Sequence, residues 1–554
     1  MRGLEAGPVR GGKRPGPLQC AGPQAVKITG AGRRLWPCRR TAPGGGGEAG
    51  ADFARGPRGG GHRSSLQEAA FFEKRISALR TGALWGILSS ITRRVHPAEG
   101  GIEVKIYNGE PIQAKAGPGE GAYLTARYQL QAEGPTLITV GRGEEAWTPL
   151  ACKEVYGKAV KTALELKCGS CLFDLAPAGE LGLAGLCAAL EGICGGGYKQ
   201  KFALSGRWEP ELACYAGGEG WREEDFTTAL ELARSIVEAR NLVNRPANLL
   251  TPMEFAKTLT DMVSGLPVQA RVLPREELAE KGLGGLLAVG DSSGHPPALV
   301  VLRYMGAPES GEVLGLVGKG VTVDTGGYSL KARDSMEGIK GDMAGAAAAA
   351  CALRALAAAG TRVNAVAVIP TCENRISRES AVPGDVIRSL SGQTIEILNT
   401  DAEGRLILAD GLTWAVREEK CTRLVDAATL TGAIWAMLGY VTAGVMASDD
   451  GWYGRLEAAA ALSGEKYWRM PLCREYERMI ESDLADMRNT SKDGCGAITA
   501  GAFLKRFTQD LPWLHLDIAG TASVNRPVWQ HQVSGATGAA VSTLFHLAAG
   551  LAEN

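Results

Sequence analysis

Short apolar runs alternate with longer amphipathic stretches along the second half of the chain. Apolar runs of about 4–8 residues bounded by glycine or polar residues are typical of buried strands, and longer stretches with apolar positions three and four apart are typical of helices. This alternation predicts a doubly wound α/β fold with a mostly parallel, mixed sheet. The predicted strands are Ala298–Val301, Val313–Val317, Val363–Val368, Thr394–Leu398, Leu424–Ala427 and Leu514–Asp517.

A chain of 554 residues exceeds what one hydrophobic core accommodates, so we expect a second, smaller α/β unit before the predicted sheet. We expect this N-terminal unit over residues 80–225, a linker helix over 223–242 closed by Pro246, and the larger unit over 243–554. Ala344–Ala358 is rich in alanine and predicts a helix packed closely on the sheet. The elements expected in the N-terminal unit are strands Ile102–Val104, Thr136–Val140 and Cys171–Leu175 and helices Thr148–Leu166 and Leu181–Glu191.

Residues 1–70 differ in composition, with glycine, proline and arginine dominant and little apolar periodicity. A segment of this kind buries too little apolar surface to fold, so we expect a disordered extension. A basic, acid-poor segment also fits an organellar transit peptide, but the abundance of glycine and proline and the scarcity of serine favour the first interpretation.

Overall charge and cysteine usage narrow the class of protein. Lys plus Arg and Asp plus Glu each number 60, so the net charge is +0 and no general basic surface for nucleic acid is expected. We also expect no membrane span, because no long uninterrupted apolar stretch is evident. The 13 cysteines are scattered and odd in number, which favours reduced thiols and a cytoplasmic location.

The richest chemistry lies in the segment Asn399–Arg405, between a predicted strand and a predicted helix. Asp401 and Glu403 are two residues apart, and carboxylates this close repel each other unless a cation lies between them. A second acidic pair, Asp324 and Asp342, follows the predicted strand Val313–Val317 and its glycine-rich loop. Loops at the carboxyl ends of strands converge in α/β sheets, so we expect the two acidic pairs to meet.

Four converging carboxylates would hold two divalent ions, which is a recurrent hydrolytic arrangement. The six histidines lie outside both segments and no His-Glu-x-x-His pattern occurs, which argues against a one-zinc peptidase of that type. Oxygen ligands suit magnesium, manganese or zinc. Lys319 and Lys331 accompany the carboxylates, and each could become a nitrogen ligand, stabilise an oxyanion, or only balance charge. The planar guanidinium group of Arg405 suits a carboxylate, phosphate or bicarbonate ligand.

Several motifs together resemble the leucyl aminopeptidase family of dinuclear metallo-exopeptidases. The resemblance covers roughly residues 80–550 and implies a small, macro-like N-terminal domain followed by the catalytic α/β domain. The matching motifs are Gly318–Gly327, Lys340–Ala347, Asn399–Asp410, Ala428–Ala433, His515–Gly520 and Gly535–Gly538.

This resemblance implies a site for two metal ions, zinc or manganese with magnesium as an alternative. It also implies that Lys331 and Arg405 are the catalytic pair, with a bicarbonate near Arg405. One metal would be bound by Lys319, Asp324, Asp342 and Glu403, and the other by Asp324, Asp401 and Glu403.

The implied function is hydrolysis of the N-terminal residue, Leu or another apolar one, from peptides with a free amino terminus by a hydroxide that bridges the metals. A homohexamer is the implied assembly. Two other classes stay open at this point: a DNA-binding or regulatory protein on the same scaffold, and a dinuclear phosphoesterase, since two metals also suit phosphoryl oxygens. The implied pocket for the first side chain is formed by Ile339, Thr429, Gly432, Ala519 and Ala522.

Overall fold

The computed structural model describes residues 104–106, 112–131, 134–144, 146–200, 212–217 and 221–552. The extension expected over 1–70 and the first residues of the strand expected at Ile102–Val104 lie outside the described part of the chain. Every described residue belongs to one unit, Thr81–Asn554.

The N-terminal part of the described chain forms a six-stranded mixed sheet. Its elements are β1 (Val104–Ile106), β2 (Ala114–Gly119), β3 (Ala126–Gln129), β4 (Thr136–Gly141), α1 (Pro149–Glu165), β5 (Ser170–Asp174), α2 (Gly182–Gly196) and β6 (Ala213–Gly217). The strand order is β1-β6-β5-β2-β4-β3, and the pairs are parallel except β3 with β4. Helix α1 begins where the Thr148 hydroxyl accepts a hydrogen bond from Ala151 N at 3.2 Å, and proline occupies the following position, where its missing N–H costs nothing.

Helix α2, Gly182–Gly196, contains most of the helix predicted over Leu181–Glu191 and continues beyond it, within a strongly apolar segment. Residues 176–196 have the length and a mean hydropathy of 1.3 that a membrane span needs, yet 72% of this window is buried inside the protein. The helix packs against α1, and both contribute to one hydrophobic core. Its apolar character is therefore accounted for by packing within the folded unit.

A larger α/β arrangement follows. Helix α3 spans Glu223–Asn244, where a linker helix is predicted over 223–242, and its first turn is acidic, which suits the positive end of a helix dipole. The division into domains at these positions stays a prediction. The remaining elements are α4 (Pro252–Met262), β7 (Val268–Pro274), α5 (Arg275–Lys281), α6 (Gly284–Gly290), β8 (Ala298–Met305), β9 (Leu314–Gly318), β10 (Gly320–Asp324), α7 (Ala344–Ala358), β11 (Asn364–Asn374), β12 (Val386–Arg388), β13 (Thr394–Glu396), α8 (Gly404–Arg417), β14 (Arg423–Ala428), α9 (Gly432–Leu438), β15 (Ala443–Ala447), α10 (Asp450–Ser463), β16 (Tyr467–Arg469), α11 (Arg474–Arg478), β17 (Met487–Arg488), α12 (Gly496–Lys505), β18 (Trp513–Asp517), β19 (Ser523–Val524), β20 (Gly535–Ala536) and α13 (Val541–Ala549).

Nine of these strands form the main sheet, in the order β16-β15-β18-β14-β9-β11-β8-β7, with β10 added beside β11. The central strands β18, β14, β9 and β11 are parallel, and antiparallel pairing occurs towards both edges. Helix α7 packs with α3 and α13 in one hydrophobic cluster, whereas α8 packs with α6 and α12 in another. The predicted fold class, an α/β fold with a mostly parallel mixed sheet, is confirmed.

Two local expectations were wrong. The residues after Val317 do not form only a loop, because Gly320–Asp324 is a fully buried strand paired with β11. Its β-branched residues favour an extended conformation, and this pairing was not evident from the glycines on either side. Strand β13, predicted in the main sheet, instead belongs to a separate sheet with β12 and β17. Asp401 and Glu403 therefore approach the main sheet from outside it.

The predicted close packing of α7 on the sheet depends on Gly345. A Cβ atom added at this position would lie 1.9 Å from the carbonyl oxygen of Ala427 on β14. We therefore expect Gly345→Ala to lower the free energy of unfolding by about 1–3 kcal/mol, because overpacking outweighs the usual gain from replacing a helical glycine. Gly454→Ala in α10 is the matched control, since its Cβ would meet nothing within 4 Å and should leave stability equal or higher. Denaturant unfolding of both variants measures the difference, and equal stability of the two would contradict the packing argument.

Candidate active site

Asp324 is the last residue of β10 and lies at the end of the main sheet where β10 and β11 finish side by side. Its side chain is buried, and Oδ1 accepts hydrogen bonds from Gly326 N at 2.9 Å and from Asn374 Nδ2 at 2.8 Å. The other oxygen, Oδ2, lies 2.6 Å from Lys331 Nζ. One carboxylate oxygen is thus fixed by the protein, and the other faces the cluster of charged groups.

The segment that carries Asp401 and Glu403 is fastened to the loop after β10 by Thr400. The Thr400 hydroxyl donates to Gly326 O at 2.7 Å and accepts from Ser329 N at 2.7 Å. These contacts join a segment from the small sheet to a loop from the main sheet. The two acidic pairs therefore meet, although by a different route from the convergence of strand ends that the sequence suggested.

Three of the predicted carboxylates form a compact group. Asp324, Asp401 and Glu403 each offer an oxygen within 4.8 Å of the others. Asp324 and Glu403 are buried and Asp401 is partly exposed. Lys331 Nζ contacts Asp401 Oδ1 as well as Asp324, so this amine lies at the edge of the group. Carboxylates gathered in this way attract a cation.

Asp342 joins the group through Lys319. Lys319 Nζ lies 2.7 Å from Asp342 Oδ2 and 2.8 Å from Glu403 Oε1, and it donates to the carbonyl oxygen of Thr429 at 3.0 Å. Thr429 Oγ1 also donates to Asp342 Oδ1 at 2.7 Å. The five residues predicted as metal ligands are therefore connected in one cluster, which lies between the end of β10, the start of α7 and the start of α8.

Burial and mutual repulsion raise the pKa values of the acids in this cluster. Burial is the largest cause for Asp342 and for Glu403, and nearby Asp324 adds to the rise in both. The pKa of Asp401 is raised by burial and then by Asp324. Burial on its own would lower the pKa of Lys319, but the surrounding carboxylates outweigh it and raise that pKa above its ordinary value. The site thus concentrates negative charge away from water.

Buried oxygen atoms without donors test whether these residues suit a metal ion. Glu403 Oε2 has no hydrogen-bond partner among the described residues, and Glu403 Oε1 and Asp342 Oδ2 lie at ion-pair distance from Lys319 without hydrogen-bond geometry. Buried polar atoms are nearly always satisfied in folded proteins. Orphaned, closely spaced carboxylate oxygens are the ligands that hard divalent cations prefer, so this donor set fits such ions.

Arg405 lies in the first turn of α8, where a positive charge is opposed by the helix dipole. It is buried, its Nη1 donates to the carbonyl oxygen of Asn489 at 2.7 Å, and its Nε has no partner in the described part of the chain. Burial lowers the pKa of Arg405 to about 10, although Glu403 and Asp517 oppose that change. A buried guanidinium with an unused donor suits a small anion.

The residues predicted for the substrate pocket occupy different environments. Ile339 and Ala519 are half-buried, Gly432 is exposed at the start of α9, and Ala522 is buried in the hydrophobic core. Thr429 contacts the charged cluster through its hydroxyl and carbonyl groups. The pocket as a whole stays a prediction.

Sequence reasoning missed the amide side chains that support the site. Asn489 Oδ1 accepts from Leu398 N at 2.8 Å, and its Nδ2 donates to Asn399 O at 2.7 Å, so it holds the chain just before Asp401. Asn374 supports Asp324 in the same way, because its Nδ2 donates a hydrogen bond to Asp324 Oδ1. Neither asparagine has a sequence feature that distinguishes it from an ordinary polar residue. His515, the first residue of one of the matching motifs, is buried, with Nδ1 2.6 Å from Asp426 Oδ1.

The fold and the buried cluster of carboxylates and amines are those of a metal-dependent hydrolase. Residues 237–545 match the sequence model described as "Cytosol aminopeptidase family, catalytic domain". The chain belongs to the cytosol aminopeptidase family, which confirms the resemblance to leucyl aminopeptidases. It is a metal-dependent aminopeptidase, a hydrolase that acts on peptides. The comparisons do not favour the DNA-binding and phosphoesterase alternatives.

Three similar proteins support this assignment. A probable cytosol aminopeptidase of Clostridium perfringens (strain 13 / Type A) is 39% identical over 423 residues, which are 74% of this chain and 86% of that protein. The structure of the bottromycin maturation enzyme BotP in complex with Mn has a TM-score of 0.73 and 31% identity, and covers 80% of this chain and 100% of its own. The structure of a mutant of tomato leucine aminopeptidase has a TM-score of 0.72 and 28% identity, and the match covers 83% of this chain and 98% of that one.

Proposed function

We propose that this enzyme removes the N-terminal residue from peptides, with a preference for Leu and other apolar residues, and that it does so with two divalent metal ions. The observation that carries this proposal is the cluster of Asp324, Asp401 and Glu403 oxygens within 4.8 Å of one another. Glu403 Oε2, which has no partner among the described residues, supports the same conclusion, because a buried carboxylate oxygen without a donor favours a bound cation.

The metal ions would be held by the chain's own oxygen and nitrogen donors, with Asp324 and Glu403 shared between the two sites. When bound, they would supply Lewis acidity that polarises the scissile carbonyl and lowers the pKa of water. Zinc and manganese are the proposed ions, with magnesium as an alternative, and manganese in the BotP structure supports this choice. The complete proposed ligand set is Lys319, Asp324, Asp342, Asp401 and Glu403.

Two cationic residues are proposed to assist the reaction: Lys331 by stabilising an oxyanion and Arg405 by binding an anion. The Lys331 side chain is 20% exposed, so its amine can reach a substrate carbonyl and stabilise the oxyanion that forms there. Arg405 is proposed to hold bicarbonate, which would carry the proton from the attacking water to the leaving amine. The unpartnered Nε of Arg405 supports binding of such an anion.

Selectivity for the end of a peptide follows from the proposed metal ions. A free α-amino group has an ordinary pKa of about 8, so it can lose its proton and would bind a metal ion through nitrogen, whereas the amide nitrogen inside a chain has no comparable lone pair to offer. We further propose that the enzyme works in the cytoplasm and assembles as a homohexamer. The name of the Clostridium perfringens relative supports the location, and the family resemblance supports the assembly.

A direct test compares two substrates with the metal-reconstituted enzyme. Leucine p-nitroanilide is expected to be hydrolysed, whereas p-nitrophenyl phosphate is expected to be untouched, because the proposed chemistry attacks a carbonyl next to a free amine. Hydrolysis of the phosphate ester without hydrolysis of the anilide would contradict the proposed function.

Side-chain preference is a separate prediction. The proposed pocket around Ile339 and Ala519 would accept a branched side chain, and each additional methylene is worth about 1–3 kcal/mol in such a pocket. Leucine carries three more carbon atoms than alanine, so even at the lower end of this range we expect kcat/KM for leucine p-nitroanilide to exceed that for alanine p-nitroanilide by about 100-fold or more. The pocket assignment would be wrong if Ile339→Asp left this ratio unchanged.

A further inference from the structure

Asn374 connects the two parts of the chain that supply the carboxylates. It is the last residue of β11, it is buried, and it lies beside Asp324 in the parallel register of β10 and β11. Its Nδ2 donates to Asp324 Oδ1 at 2.8 Å and to the carbonyl oxygen of Thr400 at 3.0 Å. A single amide group therefore contacts both acidic segments.

The first contact fixes the orientation of the Asp324 carboxylate. Oδ1 accepts from Asn374 and from the backbone N–H of Gly326, so its lone pairs are occupied by protein donors. Oδ2 remains directed towards the centre of the cluster, where it meets Lys331. Loss of the Asn374 amide would leave one donor on Oδ1 and free the carboxylate to rotate.

The second contact fixes the position of Asp401. The carbonyl that Asn374 holds belongs to the peptide bond between Thr400 and Asp401, so its position sets where the Asp401 backbone begins. The backbone of Asn374 is itself held in place, because its backbone carbonyl oxygen accepts hydrogen bonds from Thr325 N and Thr325 Oγ1, each at 3.0 Å. The distance between the two carboxylates therefore depends on the Asn374 amide together with the hydroxyl of Thr400.

We propose that Asn374 is a positioning residue that sets the geometry of the metal centre without contacting substrate or metal. This inference rests on the proposed function, in which Asp324 and Asp401 bind metal ions. Residues that orient metal ligands typically change metal affinity by about 10- to 100-fold when they are removed. The same range is expected for Asn374.

The experiment compares Asn374→Ala with Asn364→Ala. Asn364 is a matched control because it is the buried first residue of the same strand, about 33 Å away, and its amide group hydrogen-bonds four backbone groups there. Metal-free proteins are titrated with Zn²⁺ or Mn²⁺ in competition with a chromophoric chelator. Both variants are expected to unfold at a lower temperature, but only Asn374→Ala is expected to lose about 10- to 100-fold in metal affinity.

Kinetics supply a second readout. Raising the metal concentration should restore much of the kcat of Asn374→Ala, because its ligands are present but poorly oriented. Asn374→Ser, which keeps one donor in a smaller side chain, should have intermediate affinity and serves as the test if the alanine variant does not fold.

Metal affinity equal to that of the unmodified enzyme, in whichever of the two variants folds, would overturn the proposal even if stability fell. Failure of the proposed function is recognised separately, because the unmodified enzyme would then bind no stoichiometric divalent metal.

Discussion

Glu403→Ala is expected to abolish aminopeptidase activity, with a loss of about 10⁴-fold or more in kcat/KM, which corresponds to at least about 5 kcal/mol of transition-state stabilisation. Glu403 is one of the two carboxylates proposed to be shared by both metal ions, and its Oε2 has no partner among the described residues. Its removal should therefore reduce metal binding at both positions. Hydrolysis of leucine p-nitroanilide together with the metal content of the purified protein measures both effects.

The fold should tolerate this substitution. Burial and the neighbouring acids raise the pKa of Glu403, so the ionised form is less favourable in the folded protein than in the unfolded chain. Above its unfolded pKa the ionised group thus opposes folding, and alanine removes that opposition at neutral pH. We expect the metal-free variant to unfold at a temperature close to that of the unmodified protein.

Asp410→Asn provides a control on the same helix. Asp410 is also a fully buried acid of α8, but it accepts hydrogen bonds from Leu286 N at 2.9 Å and Leu390 N at 2.7 Å and lies outside the cluster. This variant should keep its metal and its activity. Retained turnover in Glu403→Ala, with metal still bound, would remove the basis of the assignment.

The parts of the protein that the sequence predicted well are those with a local cause. The alanine-rich helix Ala344–Ala358 has the bounds that its composition suggests, because small side chains and the neighbouring glycines make its packing on the sheet a local property. Asp401 and Glu403 were named as candidates because they lie two residues apart in a short segment between a predicted strand and a predicted helix, and carboxylates this close repel each other unless a cation lies between them. Both features can be read from short stretches of the sequence, whereas the meeting with Asp324 and Asp342 could only be expected.

Pairing between distant strands was not predictable in the same way. Strand β10 was taken for a loop because its partner β11 follows it only after the intervening helix α7. Strand β13 has the composition of a main-sheet strand, yet it pairs with β12 and β17. The supporting amides share this difficulty, since Asn374 and Asn489 look like ordinary polar residues until the chain brings them to the ligands.

The strand pairings and amide contacts that were not predicted have a common consequence for the site. The residues proposed to bind metal lie on segments from two different sheets, and those segments are joined by the hydroxyl of Thr400 and the amide of Asn374. A motif-based prediction names the residues that perform the chemistry but not the contacts that hold their spacing. The spacing is a property of the assembled fold.

Lys331→Ala is expected to lower kcat by about 10²- to 10³-fold while metal content stays unchanged, as for the loss of an oxyanion donor. Burial would lower the pKa of Lys331, but Asp324 and Asp401 outweigh it and raise the pKa above its ordinary value, which favours the charged amine. A charged amine suits stabilisation of an oxyanion and not removal of a proton. Lys331→Arg should recover part of the lost kcat, because the charge is kept while the geometry changes.

The outcome for Lys331 separates two of the three roles left open by the sequence, charge balance and stabilisation of an oxyanion. If Lys331 only balanced the charge of Asp324 and Asp401, its removal would change metal affinity and the pKa values of these acids, and kcat at saturating metal would be retained. If it stabilises the transition state, kcat falls at every metal concentration and KM changes little, since the interaction forms only as the oxyanion develops. Steady-state kinetics across a metal titration therefore distinguish the roles. We expect the second pattern because the Lys331 side chain is 20% exposed at the edge of the cluster, whereas that of Lys319 is 4% exposed within it.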